Sequence, residues 1–318
     1  LEDDAQKTFL EYNKFGLNKN AVYDRSGALK HFLKMDDSNH MPDFDLLFNK
    51  SFEQISNERA KELVALNRPI KVCWSGGIDS MYALFLLNEY AVPGQITVYG
   101  SYVSVIESGN VFDKFIKNNM KHNISVSTNQ LSKTDDDSIW VTGFQGNQLF
   151  GPTDDYFATP DKPFLFHHTL GTPDTIYESY EKHIDPVVLD FLNPMLKMSP
   201  KKLETVNDVR WYCIFNLDWY NGLYDIMSDI PSNKMCKVHH FFNTVDFQKW
   251  AITTKEPFTK VKGHANTHRW QMRERLSDYG LVEYAKNKSK TVSTFSTTHT
   301  NWLLLLNDKQ HVHIRSVY

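Results

Sequence analysis

"IKVCWSGGIDSMYALFLLNEY", residues Ile70 to Tyr90, decides how the chain is read. Glycines 76 and 77 stand side by side in a chain that has only 14 in 318 residues, where one apolar run ends and another begins. "IKVCW" has the length and character of a buried strand, and "DSMYALFLLNEY" those of a buried helix. A glycine pair between them permits φ > 0 and lets the backbone approach a ligand with no Cβ in the way. The first turn of the helix then offers unpaired N–H groups. Phosphate is the natural guest, and Ser75 and Ser80 add hydroxyl donors. Asp79 is out of place beside phosphate unless a divalent cation stands between them, so the combination points to a magnesium nucleotide. The bland alternative is a flexible turn with Asp79 capping a helix. Placement directly between a strand and an apolar helix favours the first reading.

Outward from this turn the alternation continues. "QITVYGSYV" reads as a second strand after the Val92-Pro93-Gly94 break, "VFDKFIKNNMKH" as a second helix, "ISVST" as a third strand and "SIWVTG" as a fourth. The pattern from Pro69 to about Gly151 predicts an open, mostly parallel α/β sheet with flanking helices. Ligands in such sheets bind beyond the carboxyl ends of the strands. Residues 1–67 read as an N-terminal extension with one amphipathic helix, "SFEQISNERAKELVAL", whose Phe52, Ile55, Ala60, Leu63 and Val64 recur near helical spacing and should pack on the next unit. Residues 152–318 are largely helical in pattern, with segments at "DPVVLDFLNPML", "KKLETVNDVRWYCIFNLDWYNGLYDIM" and "THRWQMRERLSDYG". "TNWLLLLNDKQHVHIRS" reads as a C-terminal hairpin extension, 291–318, turning at Asn307-Asp308.

Composition narrows the class. With 41% apolar and 14% aromatic residues the chain should be globular with a large core. A net charge of −3 argues against wholesale wrapping of nucleic acid, although "AKNKSK", Ala285 to Lys290, is either a local basic patch or a solvated helix end. Cys73, Cys213 and Cys236 are far apart and suggest reduced thiols rather than a disulfide framework. No apolar run approaches the roughly 20 residues that cross a bilayer. The opening "LEDDAQKTFLEY" lacks the order of a signal peptide, so a cytoplasmic protein without a membrane partner is expected. "HANTH" sets His264 and His268 at a zinc-like spacing without the usual Glu and reads as a surface helix, and "TDDDS" reads as a solvated loop. The Trp211, Tyr212, Phe215, Trp219 and Tyr220 series reads as core.

Two motifs carry a family resemblance. "SGGIDS" resembles the Ser-Gly-Gly-x-Asp-Ser loop of the PP-loop ATP pyrophosphatases, and "TGFQGNQLFG", Thr142 to Gly151, is similar to the Ser/Thr-Gly-Glu-Gly-x-Asp-Glu-Leu-Phe-Gly segment of its asparagine synthetase and β-lactam synthetase group. "FFNTVDFQKWA" and "HRWQMRERL" loosely resemble that group's C-terminal helical region, so the likeness covers about residues 52–290, with the domain itself at 68–290. The resemblance implies ATP and Mg2+ as cofactors. A substrate carboxylate attacks the α-phosphate, giving an acyl-adenylate and pyrophosphate, and an amine or ammonia then displaces AMP. Ser75, Gly76, Gly77 and Ser80 would hold the pyrophosphate, with Gly143 beside them. Asp79 and Asn147 would hold magnesium, and adenine would lie around Tyr99, Gly100 and Ser101, chiefly against backbone. A late lysine, Lys288 or Lys290, would face the charge developing on the leaving pyrophosphate.

The second motif departs from the family pattern. Phe144 stands at a usual Glu, Gln145 at a Gly, Asn147 at the magnesium-binding Asp and Gln148 at a second Glu. An Asn oxygen can coordinate magnesium but brings no charge, and Phe144 can neither position a polar nucleophile nor accept a proton. Either the chain uses another substrate with polar groups drawn from elsewhere, or it binds nucleotide without completing the reaction. With no Cys before Cys73, no glutaminase activity is expected. The acceptor would be ammonia, a small-molecule amine or an amine on a macromolecular partner. Adenylation of a nucleobase or tRNA is the rival enzymatic reading, and a nucleotide-binding protein without turnover is the non-enzymatic one.

Overall fold

The structure is a computed structural model that describes residues 23–29, 33–34, 41–125, 137–151, 177–184, 186–217, 219, 237–256, 258, 260, 267–288, 300–306 and 310–316. The chain divides into two compact units. One comprises Asp45–Phe150 and Ile226–Thr294, the other Leu1–Phe44, Gly151–Asp225 and Phe295–Tyr318. Each unit is assembled from separate stretches of chain.

The first of these units holds an open sheet of five strands: β1 Ile70–Cys73, β2 Ile96–Ser101, β3 Lys121–Ser125, β4 Ile139–Thr142 and β5 Val238–His240. All pairings are parallel, and the spatial order is β3-β2-β1-β4-β5. Val72 on the central strand lies opposite Val98 and Val141, and all three are buried. The chain runs outward from β1 through β2 to β3, then crosses back to place β4 on the other side of β1. The topological switch point therefore falls between β1 and β4, where open α/β sheets form their ligand crevice.

Helix α1, Phe52–Val64, begins with a capping box in which Ser51 accepts from the Gln54 N–H and the Gln54 side chain accepts from the Ser51 N–H. Its buried face carries Phe52, whose ring lies 4.9 Å from that of Trp250, 5.2 Å from Phe150 and 5.7 Å from Tyr82. Helix α2, Ile78–Tyr90, is buried at every position from Met81 to Leu87, as an all-round apolar helix must be. Helices α3, Tyr102–Glu107, and α4, Gly146–Phe150, follow β2 and β4; α5, Val245–Thr253, α6, Trp270–Asp278, and α7, Val282–Asn287, complete the unit.

Three local expectations change. The second strand stops at Ser101, whose hydroxyl accepts from the Ser104 N–H and starts α3 where extended chain was expected. The expected helix from Val111 to His122 is a π-helical turn over Phe112–Ile116, and Lys121 and His122 instead pair with Thr97 and Val98 in β3. Ladder pairing with β2 outweighs their polar character. The fifth strand, with two histidines among its three residues, was not read from the sequence.

The other unit contains the antiparallel hairpin Thr300–Leu306 with Gln310–Ser316, as expected, and helices over Pro186–Leu196 and Val206–Leu217. The latter is the middle of the long predicted helix. Trp211, Tyr212, Phe215 and Trp219 are all buried, as core reading requires, while Tyr220 lies outside the described residues. Arg25 donates to the Phe215 carbonyl at 2.9 Å and lies over the Trp219 ring. Asn216 donates to the buried Asp24 carboxylate.

Candidate functional site

The loop leaving β1 is shaped by its own hydroxyls. The Ser75 and Ser80 oxygens lie 2.9 Å apart, Ser80 donates to the Gly77 carbonyl at 3.1 Å, and the Gly77 N–H donates to Ser75 at 3.3 Å. Gly77 caps α2 with no side-chain bond. Gly76 has a φ of +79°, and a Cβ there would lie 2.3 Å from the Ser104 carbonyl oxygen. Only glycine lets the turn press against α3 in that conformation.

The loop leaving β4 lies against the first one. A Cβ on Gly143 would meet the Ser80 nitrogen at 2.6 Å, and one on Gly146 would meet the Asp79 carboxyl carbon at 2.5 Å. The start of α4 is thus in contact with the Asp79 carboxylate, and Asn147 follows on the next residue. Between the glycines, Gln145 has a φ of 70°, a left-handed conformation that costs a non-glycine residue about 1 kcal/mol. Behind this loop the Thr142 hydroxyl pairs with His240 Nδ1 at 2.6 Å. Burial, with smaller effects of His239 and Arg59, pulls the His240 pKa down to about 3.

Asp79 and Asn147 are joined by a residue that the sequence reading did not place in the site. Arg269 donates through Nη1 to Asp79 Oδ1 and through Nη2 to Asn147 Oδ1. The Arg269 side chain is 12% exposed and that of Asp79 18%. Arg269 is the N-cap of α6 and is itself left-handed, with φ 57°. Of the three described non-glycine residues with positive φ, Arg269 bonds this carboxylate and Gln145 directly precedes the glycine packed on it, and such strain concentrates at functional sites.

A second ion pair borders the Gly76 end of the loop. Lys288 Nζ lies 2.5 Å from Glu107 Oε1, each side chain only 8% exposed. A Cβ on Gly76 would sit 3.1 Å from that of Glu107. Tyr284 donates its hydroxyl to the Gly76 carbonyl at 2.8 Å. Burial, reinforced by the charges of Glu107 and Asp79, holds the Tyr284 pKa well above the ordinary phenol value, so the hydroxyl remains a donor. Arg273 fastens α6 to the end of α7 by donating to the Ala285 carbonyl and, at 2.9 Å, to that of Lys288. Of the "AKNKSK" patch, Lys288 is therefore an enclosed ion-pair partner and Lys286 is exposed; Lys290 lies outside the described residues.

The structure brings Ser75, Gly76, Gly77, Asp79, Ser80, Gly143 and Asn147 into one place. The residues read as an adenine seat are committed locally. The Tyr99 ring packs on Trp140 at 4.8 Å, Gly100 backs onto Trp74, and the Ser101 hydroxyl caps α3. Tyr99 also borders a groove of about 520 Å³ that includes Thr97, Tyr102, Phe112 and His122. Cys73 is not poised as a nucleophile, since burial pushes its thiol up to about 12. His268 is buried rather than on a surface helix, and His264 lies outside the described residues.

Arg269, Glu107 and Tyr284 were missed because nothing in their spacing marks them. A left-handed Arg ahead of a helix has no sequence signature. As a cation seat, the Asp79 and Asn147 oxygens fit: they already converge on one positive group. No cluster of three or more His, Cys, Asp or Glu side chains suited to a metal occurs among the described residues. Any further oxygens around a divalent ion would come from nucleotide and water. No protein-family model, curated protein or solved structure matches the chain.

Proposed function

We propose that the unit built on the five-stranded sheet is an adenine-nucleotide site of the PP-loop ATP pyrophosphatase type, and that the chain is an AMP-forming ligase or transferase akin to the asparagine synthetase group, without glutaminase. The observation that carries this reading is the position of the two motif loops. "SGGIDS" and "TGFQGNQLFG" leave the carboxyl ends of the two strands that flank the switch point and touch each other there.

Two further features support it. Gln145 stands where the family pattern has glycine and keeps a φ that glycine adopts without strain. Lys288, one of the two lysines considered for the leaving pyrophosphate, lies beside the loop rather than in solvent. The first turn of α2 and the Gly76–Gly77 backbone would bind the phosphates, Lys288 would offset charge on the leaving group, and Tyr284 would fix the loop. Magnesium, carried with the nucleotide, would supply the remaining charge neutralisation.

The substrates would be a small carboxylate and ammonia or an amine. The lack of carboxylates at Phe144, Asn147 and Gln148 favours a second reading, nucleotide binding without turnover. Incubation with MgATP and pools of carboxylates and amines separates the two. AMP with pyrophosphate supports the ligase, ADP contradicts it, and binding without products supports the second reading.

A further inference from the structure

We infer that Arg269 is a transferable cation: it occupies the seat made by Asp79 and Asn147 when nucleotide is absent, and yields it to a divalent ion while moving to the phosphates when a metal–nucleotide binds. The inference rests on the nucleotide reading above for the phosphate half and on the geometry of the pair for the metal half.

The charges require some such exchange. Asp79 with Arg269, and Glu107 with Lys288, are two pairs in which acid and base cancel. The cations of both pairs thus face carboxylates rather than an incoming anion. A nucleotide alone would have to strip Arg269 from Asp79, leaving a part-buried carboxylate unpaired next to phosphate. A metal alone would have to displace a guanidinium with nowhere to go. Arriving together they exchange partners one for one: the divalent ion takes the Asp79 and Asn147 oxygens, and the guanidinium takes phosphate oxygens, to which its planar fork is suited. The fork already spans both loops. The left-handed backbone at Arg269 sets the guanidinium at the meeting point of the loops ahead of α6.

The test uses the full chain, with Mg2+ alone and ATP as probes. Thermal unfolding is followed with and without Mg2+ for the wild type, Arg269→Gln and Arg269→Lys. Arg269→Gln should gain a rise in Tm with Mg2+ that the wild type lacks, and Arg269→Lys, which keeps a cation in the seat, should stay as unresponsive as the wild type. Calorimetric titration with metal-free ATP should show Asp79→Asn binding about tenfold tighter than the wild type, because the guanidinium is no longer held. Equal Mg2+ responses in all three proteins, with Asp79→Asn no better for metal-free ATP while the wild type binds MgATP, would overturn the exchange and leave the nucleotide site standing. If no form binds ATP, the nucleotide reading and the phosphate half fail together, and the Mg2+ response of Arg269→Gln still decides whether arginine and metal compete.

Discussion

Lys288 and Glu107, 181 residues apart in sequence, form an enclosed ion pair directly behind the Gly76 turn. Breaking it from one side leaves a charge in a place from which water is largely excluded. Lys288→Met should therefore lower unfolding stability by about 3 kcal/mol, and Glu107→Gln added to it should restore most of the loss. Denaturant titrations of the single and double variants check this. The double variant also isolates the lysine's chemical role: pyrophosphate release should drop by at least about a hundredfold if Lys288 faces the leaving group. Full activity would remove it from that role.

Two of the site's glycines, Gly76 and Gly146, should fail differently. Gly76→Ala sets a Cβ against fixed backbone in a left-handed residue, and is expected to cost about 2 to 4 kcal/mol of stability. For Gly146→Ala the three atoms nearest the new Cβ all belong to the Asp79 side chain, which is less fixed than backbone. Its Tm should fall less, while its affinity for MgATP drops by about tenfold or more, a change of about 1.4 kcal/mol. Melting curves and nucleotide titrations on both variants separate fold from site.

Asp79→Ala should abolish the dependence of nucleotide binding on Mg2+. Affinity for ATP measured across a magnesium series would be flat in the variant and steep in the wild type. A series unchanged by the substitution would take Asp79 out of the site.

His240 gives the fold an acid limit. Its pKa is about 3 when folded against an ordinary 6.5, so between these values the unfolded chain binds a proton that the native state refuses. Its contribution is complete above about pH 6.5 and is lost as pH falls toward 3, at a slope of at most about 1.4 kcal/mol per pH unit. Melts at pH 7 and pH 5 should show a larger drop for the wild type than for His240→Gln. Equal drops would contradict the assignment.

The sheet was legible where burial on both faces writes an apolar run, as at Ile70–Cys73 and Ile139–Thr142. It was not legible at Val238–His240, where three residues with two histidines hold an edge through backbone pairing and the buried bond to Thr142. Within the site, glycines and serines of the turn announced themselves because backbone conformation demands those residue types. Arg269 and Glu107 did not, because a long flexible side chain can reach the site from any nearby element. Which element is near is settled by tertiary packing, here by Arg273 tying α6 to α7.

The most direct test of the account is a crystal structure of the protein soaked with magnesium and a non-hydrolysable ATP analogue. The β- and γ-phosphate oxygens should lie within hydrogen-bonding distance of the Ser75–Ser80 loop, with a metal on Asp79 and Arg269 turned from the carboxylate toward phosphate. Nucleotide bound elsewhere, or a crevice between β1 and β4 still closed by Arg269 at saturating ligand, would contradict it.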